Sequence, residues 1–417
     1  MTIRQHRNWN SSMSFVTPLL FSFIFSGCAI LPPTLPETGP LNTKEELASY
    51  LNNITDAGDP PGLSFIAIQG DRTVFSRGFG LADPETNRKA TAGDVYQWWS
   101  ITKIFTAVAV MQLQEQGLLS IKDPITKYIP FFRAEWDGED ISDSITIEQL
   151  LSHTSGLSDA GPEIIGWIHY EGDPHPNQTD LFRTKLKDYT QLDSMPGSKA
   201  QYSNIGYMAL AALIEERSGL SYENFIRKNI LYPLNMERTD FVYSEEMKDN
   251  ESVGSHPIDF MSYLVPIYID MDRAIRKKDD RYWFNRLYSD QKGSTGLIGS
   301  PEDLSRFMKA LLGSGSYDGV RILSGESVQE MMQTRATFQD GQFEGYGMGL
   351  GWFIKGEGQE LQLAHGGAGA AFVCMMRLYP NRGVGLAIMA NSTYLGRQMG
   401  IPVLDAGAPA FPGVRKD

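Results

Sequence analysis

The sequence predicts an α/β (α+β) fold in which one sheet, built from the two ends of the chain, carries an inserted and mostly helical lobe. Three observations lead there. Runs rich in strand formers stand at Gly62 to Gly70 and at Thr73 to Gly80, joined by the turn signal Gly70-Asp71. Strand signals return only towards the other end, at Gly349 to Ile354, Ala371 to Leu378 and Gly383 to Ala390. Between them, from about residue 118 to 290, apolar residues recur at helical spacing, as in Ile147-Leu150-Leu151 and Met208-Leu210-Leu213. Strands at both ends enclosing helices suit one layered unit rather than a string of domains.

Taken in order, the chain opens with an export segment. The first 36 residues hold no Asp or Glu; Arg4, His6 and Arg7 precede an apolar run from Phe15 to Phe25, and Ser26-Gly27-Cys28 follows. That is the order of a signal peptide over residues 1–27. The run is shorter than the roughly 20 apolar residues that a membrane-spanning helix needs. The ending Phe25-Ser26-Gly27-Cys28 is similar to a bacterial lipobox, with Phe where Leu is usual. Acylation of Cys28 would make it a membrane anchor; the plainer reading is a cleaved signal peptide with an incidental cysteine. Residues 28–44 include Leu31-Pro32-Pro33-Thr34-Leu35-Pro36 and read as a stiff spacer. The folded unit is expected over residues 45–395, its helical lobe at about 118–290, and a C-terminal tail over residues 396–417. Within that unit Trp98 and Trp99 lead into Ser100, and Ile101 to Gln116 is an apolar helical pattern stopped by Gly117.

Composition narrows the function classes. The 417 residues carry 37 Lys and Arg against 50 Asp and Glu, a formal charge of −13, with 41% hydrophobic residues. A folded chain fits these values and a disordered one does not. Nucleic-acid binding is excluded by the lack of clustered cations. Two cysteines, Cys28 and Cys374, give no disulfide framework. No His-Glu-x-x-His pair or cysteine cluster suggests a metal. Gly-x-Ser-x-Gly is missing too, the nearest approach being Gly156-Leu157-Ser158-Asp159-Ala160.

What remains is Ser100-Ile101-Thr102-Lys103. Residues three apart share a helix face, so hydroxyl and ammonium come within reach. A serine hydroxyl needs a base beside it, and lysine serves when burial lowers its pKa, as Trp98, Trp99, Ile104 and Phe105 would favour. A serine in the first helical turn also meets backbone N–H groups and the positive end of the helix dipole. Spacing alone decides little, since Ser289-Asp290-Gln291-Lys292 repeats it in a polar, loop-like stretch. The bland reading of Ser100 is a helix-start serine with a solvated lysine one turn on. Ordered companions tilt the balance. Tyr202-Ser203-Asn204 lies between Pro196-Gly197 and a helical run, and His365-Gly366-Gly367-Ala368 enters the strand expected from Ala371. Consecutive glycines there allow a substrate to approach the backbone.

With these motifs the chain resembles the serine β-lactamase-related family: class C β-lactamases, low-molecular-weight penicillin-binding proteins such as DD-peptidases, and family VIII-like esterases. The resemblance extends over roughly residues 45 to 395 and includes Ile145 to Leu157 (ITIEQLLSHTSGL), Tyr232 to Met236, Gly299 to Leu304 and Tyr346 to Trp352. It implies a β-lactamase/transpeptidase-like fold, an antiparallel sheet flanked by helices. By motif, Ser100 would be the acylated nucleophile, with Lys103 and Tyr202 sharing general-base work and proton return. Asn204 would hold the lysine and the substrate. The amides of Ser100 and Ala368 would form the oxyanion hole, with His365, Gly366 and Gly367 along the substrate. No metal or organic cofactor is implied, and His153 is read as capping the last turn of its own helix.

One departure matters. Relatives that bind a carboxylate carry Lys-Thr-Gly where this chain has His365-Gly366-Gly367, which offers neither the lysine nor the hydroxyl. An exported serine acyl hydrolase of esterase or amidase type is therefore expected. A DD-peptidase or β-lactamase is the alternative, and a cell-wall-fragment sensor without turnover is a second. Partners would be small ester, amide or peptide substrates, and the membrane through Cys28 if it is acylated, in a periplasmic or cell-envelope location. Substrate choice is assigned to two aromatic-bearing segments: Asp159 to Gln191, with Trp167, Tyr170 and Phe182, and Pro257 to Gln291, with Phe260, Tyr263, Tyr268, Tyr282, Trp283 and Phe284. Their aromatics either pack their own loops or line an apolar acyl pocket.

Overall fold

The computed structural model describes residues 35–157, 166–259, 262, 265–339, 343–393 and 396–413. The export segment and Cys28 lie outside these residues, as do Ser158, Asp159, Phe260 and Tyr263.

Nine strands form one antiparallel sheet: β1 (Gly62–Gln69), β2 (Arg72–Asp83), β3 (Arg88–Lys89), β4 (Ala336–Thr337), β5 (Gly347–Met348), β6 (Phe353–Lys355), β7 (Gln362–Ala368), β8 (Val373–Tyr379) and β9 (Val384–Ala390). Their spatial order is β4-β5-β6-β7-β8-β9-β1-β2-β3. The two chain ends meet where β9 pairs with β1, Leu63 opposite Ala390 and Gln69 opposite Val384. Period-two alternation sends Ile66 and Ile68 into one core and Phe65 and Ala67 into the other. Covered on both faces, β1 can be apolar throughout.

The face of Phe65 packs against α1 (Lys44–Asp56), whose Thr43 capping box fixes its start. The opposite face packs against α2 (Thr102–Glu115) and the inserted lobe, which contains α3 (Ile147–Leu151) and α4 (Asn204–Ser218). Two further helices, α5 (Lys292–Thr295) and α6 (Pro301–Leu312), lead the chain back to the sheet. The lobe is less helical than expected near its end, where Ser255–Pro257, Ile275–Lys278 and Arg281–Phe284 form a small sheet of their own.

Three expectations are corrected. The strand read over Gly349 to Ile354 starts only at Phe353, because Gly351 turns at φ 83° and a Cβ on Gly349 would lie 2.5 Å from the Met331 carbonyl. The His365 motif does not lead into the next strand; it is the second half of β7, and Ala371, at φ 72°, sits in the turn that follows. Residues 396–413, expected within a C-terminal tail, belong to the folded unit. Helix α7 (Gly396–Gly407) packs Val403 and Leu404 into the α1 core, while Asp405 pairs with Arg377 of β8 and the Ala406 carbonyl accepts from Leu41 N at 2.8 Å. Gly396, Gly400, Pro402 and Gly407 conceal this helix from a propensity reading, and tertiary burial overrides them. Cys374 is buried in β8, its thiol donating to the Gln97 carbonyl at 3.2 Å.

Candidate active site

Ser100 lies in a single 3-10 turn, Trp99–Ile101, that feeds directly into α2. Trp99 before it has φ 48°, a left-handed conformation that a bulky residue adopts only when its surroundings demand it. The indole demands it here by lying over Gly369, where a Cβ would come within 2.4 Å of the ring. Gly367 is just as constrained: its Cβ would sit 2.0 Å from the Trp98 carbonyl and 3.0 Å from the Ser100 amide. Gly367 and Gly369 thus let the end of β7 press against the serine turn, a contact any side chain there would prevent.

One helical turn on, Lys103 is fully buried. Its Nζ donates to Ser100 Oγ at 3.0 Å, Asn204 Oδ1 at 2.7 Å and the Ser294 carbonyl at 3.0 Å. The three acceptors come from the serine turn, from α4 and from α5, so the ammonium ties three elements together. The Tyr202 and Tyr207 rings lie 4.9 and 5.6 Å from the same nitrogen, on the cation–π scale.

Tyr202-Ser203-Asn204 forms the entry to α4. Ser203 is its N-cap, accepting from Gly206 N at 3.1 Å, which makes Asn204 the first helical residue and leaves Tyr202 half-buried just before the helix. As expected, His153 caps the last turn of α3, through its backbone: at φ 55° its N–H donates to the Leu150 carbonyl at 3.4 Å, and Thr154 N donates to the Gln149 carbonyl at 2.8 Å. Its side chain reaches further. Its Nδ1 accepts from Ser203 N at 3.1 Å, a connection across 50 residues. Burial, with the charges of Lys103 and His365 adding to it, holds its imidazole well below the usual histidine range.

Ser100, Tyr202, His365, Gly366 and Ala368 open onto one pocket. His365 packs against Phe353 at 5.2 Å, and its Nδ1 donates to the Gly366 carbonyl at 2.7 Å. The structure therefore brings Ser100, Lys103, Tyr202, Asn204 and the His365–Ala368 strand edge together. The second Ser-x-x-Lys is not a loose loop: Ser289 ends a strand paired with Ile168–Tyr170, and Lys292 is buried in an ion pair with Glu223.

Sequence reasoning missed the pocket wall. Phe343, Tyr346 and Phe353 line it together with Met375 of β8 and Ile401 of α7. Phe343 stacks on Phe353 at 4.3 Å, and both lie about one ring diameter from Tyr202, at 6.0 and 6.2 Å. The recurrence of Phe338, Phe343, Tyr346 and Phe353 was a signal available in the sequence. The described aromatic residues of the segments expected to select substrate lie elsewhere. Trp167 and Phe182 are buried in the core, Tyr268 and Tyr282 pack against it, and Tyr170 and Phe284 line a separate groove with Arg273 and Arg286.

Fold and site together match a family of serine hydrolases that share the β-lactamase fold. The chain belongs to the beta-lactamase family, whose model matches residues 47–405. It is similar to protein flp of Staphylococcus aureus (strain MRSA252), 24% identical over 350 residues. That alignment covers 84% of this chain and 63% of flp, so the chain spans less than two thirds of that relative. Among solved structures, a class C beta-lactamase superposes with a TM-score of 0.69 at 17% identity, covering 89% of this chain and 97% of the other. EstCE1, a hydrolase with promiscuous acyltransferase activity, gives a TM-score of 0.69 at 19% identity, with coverage of 88% and 97%.

Proposed function

We propose that the protein is an exported serine acyl hydrolase that cleaves neutral esters or amides through an acyl-enzyme on Ser100. The observation that carries this is the contact set of Lys103. Asn204 Oδ1 and the Ser294 carbonyl can only accept, so they use two of its hydrogens in either protonation state. The third partner, Ser100 Oγ at 3.0 Å, can accept or donate. A charged Lys103 donates to it; a neutral one receives the serine proton along the same line, and the other two bonds persist. Proton transfer needs no rearrangement, as general-base catalysis requires.

In this reading Ser100 Oγ attacks the substrate carbonyl as its proton passes to Lys103. Tyr202, facing the same pocket, returns a proton to the departing alcohol or amine. The amides of Ser100 and Ala368 stabilise the oxyanion, each donor worth about 3–4 kcal/mol in such sites. Water then hydrolyses the acyl-enzyme by the reverse path.

Two features support neutral substrates. The lysine and hydroxyl used elsewhere to hold a carboxylate are replaced by His365 and Gly366. Arg377, the cation that lines the pocket, is buried and paired with Asp405. The aromatic wall beside Tyr202 favours an apolar group on the substrate. A DD-peptidase or β-lactamase remains the competing reading, favoured by family membership. Fluorophosphonate labelling of wild type and Ser100→Ala, followed by an ester, cephalosporin and D-alanyl peptide panel, separates them. Labelling that survives Ser100→Ala overturns the proposal, and faster cephalosporin than ester turnover favours the competitor. Export and an anchor at Cys28 rest on the signal-peptide and lipobox pattern; a mature N-terminus elsewhere than Cys28, read by mass spectrometry, removes the anchor.

A further inference from the structure

His153 takes no part in the steps above, yet it touches the peptide that carries Tyr202 at two points. Its carbonyl accepts from Gln201 N at 2.7 Å, and its Nδ1 accepts from Ser203 N at 3.1 Å. The amides on either side of Tyr202 thus end on a single residue. The imidazole also lies against the Tyr202 ring, centroids 4.4 Å apart and planes tilted by 31°, and against Tyr207 at 5.0 Å. His153 stands at φ 55° as the left-handed residue that ends α3, a conformation histidine tolerates better than most side chains, and from that cap it reaches both amides. Its other ring nitrogen, Nε2, is buried and meets no acceptor among the described residues, so the ring is anchored through Nδ1.

We infer that His153 is a positioning residue: it sets the Tyr202 phenol in register with Ser100 and Lys103 by accepting the amide that follows the tyrosine. The inference rests on the Ser100, Lys103 and Tyr202 reading above. Accepting at Nδ1 requires that nitrogen to be unprotonated, and the surroundings enforce this. Lys103 from α2, His365 from β7 and the phenols of Tyr202 and Tyr207 face the ring, and it is fully buried. A cationic ring would lose the Ser203 bond and face the Lys103 charge in a dry site.

The test compares His153→Asn, His153→Gln and His153→Leu in the full chain, reading kcat and KM for a short aryl ester, the rate of fluorophosphonate labelling, and the melting temperature. Asparagine places an acceptor where Nδ1 stands and adopts left-handed backbone readily; glutamine carries its acceptor one bond too far. For the glutamine and leucine variants kcat and labelling rate fall by roughly a hundredfold, the scale of a one-ångström misplacement, with KM within about threefold. The asparagine variant keeps about a tenth or more of wild-type kcat. Equal kcat for asparagine and glutamine overturns the inference, as does a loss confined to KM or to melting temperature. Should glutamine and leucine not fold, a folded asparagine variant below about a hundredth of wild type overturns it by itself. Wild-type turnover abolished by Ser100→Ala establishes the underlying reading separately, so an unaffected His153 series then counts against this inference alone.

Discussion

Two segments of the chain carry the same Ser-x-x-Lys spacing, and the fold buries both lysines. Lys103 meets a hydroxyl, an amide oxygen and a backbone carbonyl, all uncharged. Lys292 meets the carboxylate of Glu223, and Ser289 turns instead to Thr295 Oγ1 at 2.6 Å. An ammonium opposite a carboxylate loses its pairing with its proton, whereas one held by neutral acceptors keeps most of its bonds as a neutral amine. Spacing brings serine and lysine onto one face, but the partners' charge decides whether the lysine can serve as a base. The two are also joined, because the helix that Lys292 begins supplies the Ser294 carbonyl to Lys103.

Replacing each lysine by methionine breaks the comparison open. Lys103→Met should leave a folded protein whose kcat/KM falls by about a thousandfold or more, as for loss of an activating base. Lys292→Met should do the reverse, leaving the half-buried Glu223 without its partner and costing up to about 3 kcal/mol of stability. Its kcat per folded molecule should stay within about tenfold of wild type, since Lys292 touches neither Ser100 nor Tyr202. Denaturant unfolding with active-site titration separates the two losses. A Lys292→Met protein as stable as wild type, or a Lys103→Met protein as active, would show that partner charge is not the distinguishing feature.

Asp303 sharpens the same point with the opposite charge. This carboxylate is buried in the first turn of α6, with Arg238 N at 2.7 Å and Thr239 Oγ1 at 2.9 Å donating to it. Burial outweighs those bonds and raises its pKa to about 6. The folded carboxyl therefore keeps its proton up to about pH 6, while an unfolded one releases it near 3.9. More protons are bound in the folded state across that window, so stability falls as pH rises through it and stays lower above. Asp303→Asn should remove up to about 3 kcal/mol of the decline between pH 4 and 7. Urea midpoints at the two pH values measure it, and an unchanged decline would mean that Asp303 ionises as an exposed carboxylate does.

Local signals made the chemical core legible in the sequence. Ser100 and Lys103 are one turn apart, Tyr202 to Asn204 form one helix entry, and His365 to Ala368 are one strand edge, so each fits inside a single element. The antiparallel sheet from both chain ends was legible for the same reason, since β1, β8 and β9 run apolar on their own and β2 follows β1 across the turn signal Gly70-Asp71. What joins elements was not. The bond from Ser203 to His153 crosses 50 residues, the third acceptor of Lys103 comes from 191 residues away, and α7 hides behind its glycines and proline. These depend on long-range packing, which no window of sequence displays.

The pocket wall gives the smallest effect and the finest test of that division. Phe343, Phe353 and Ile401 line the pocket onto which Ser100 opens, whereas Trp167 and Phe182, expected to select substrate, are core residues. Phe343→Ala removes an aromatic face next to Tyr202, and Ile401→Ala opens the side formed by α7. Each should lower kcat/KM for an aryl or branched ester about tenfold more than for an acetyl ester, since a pocket contact of this size discriminates by roughly 1–3 kcal/mol. Phe182→Ala should instead cost about 3–5 kcal/mol of stability and leave that ratio unchanged, because Phe182 packs on Phe131 and Phe132 rather than on the pocket. A selectivity change in Phe182→Ala without one in Phe343→Ala would return specificity to the inserted lobe. The reverse pattern assigns it to the strand and helix that close the sheet around Ser100, where β8 and α7 already meet through Arg377 and Asp405.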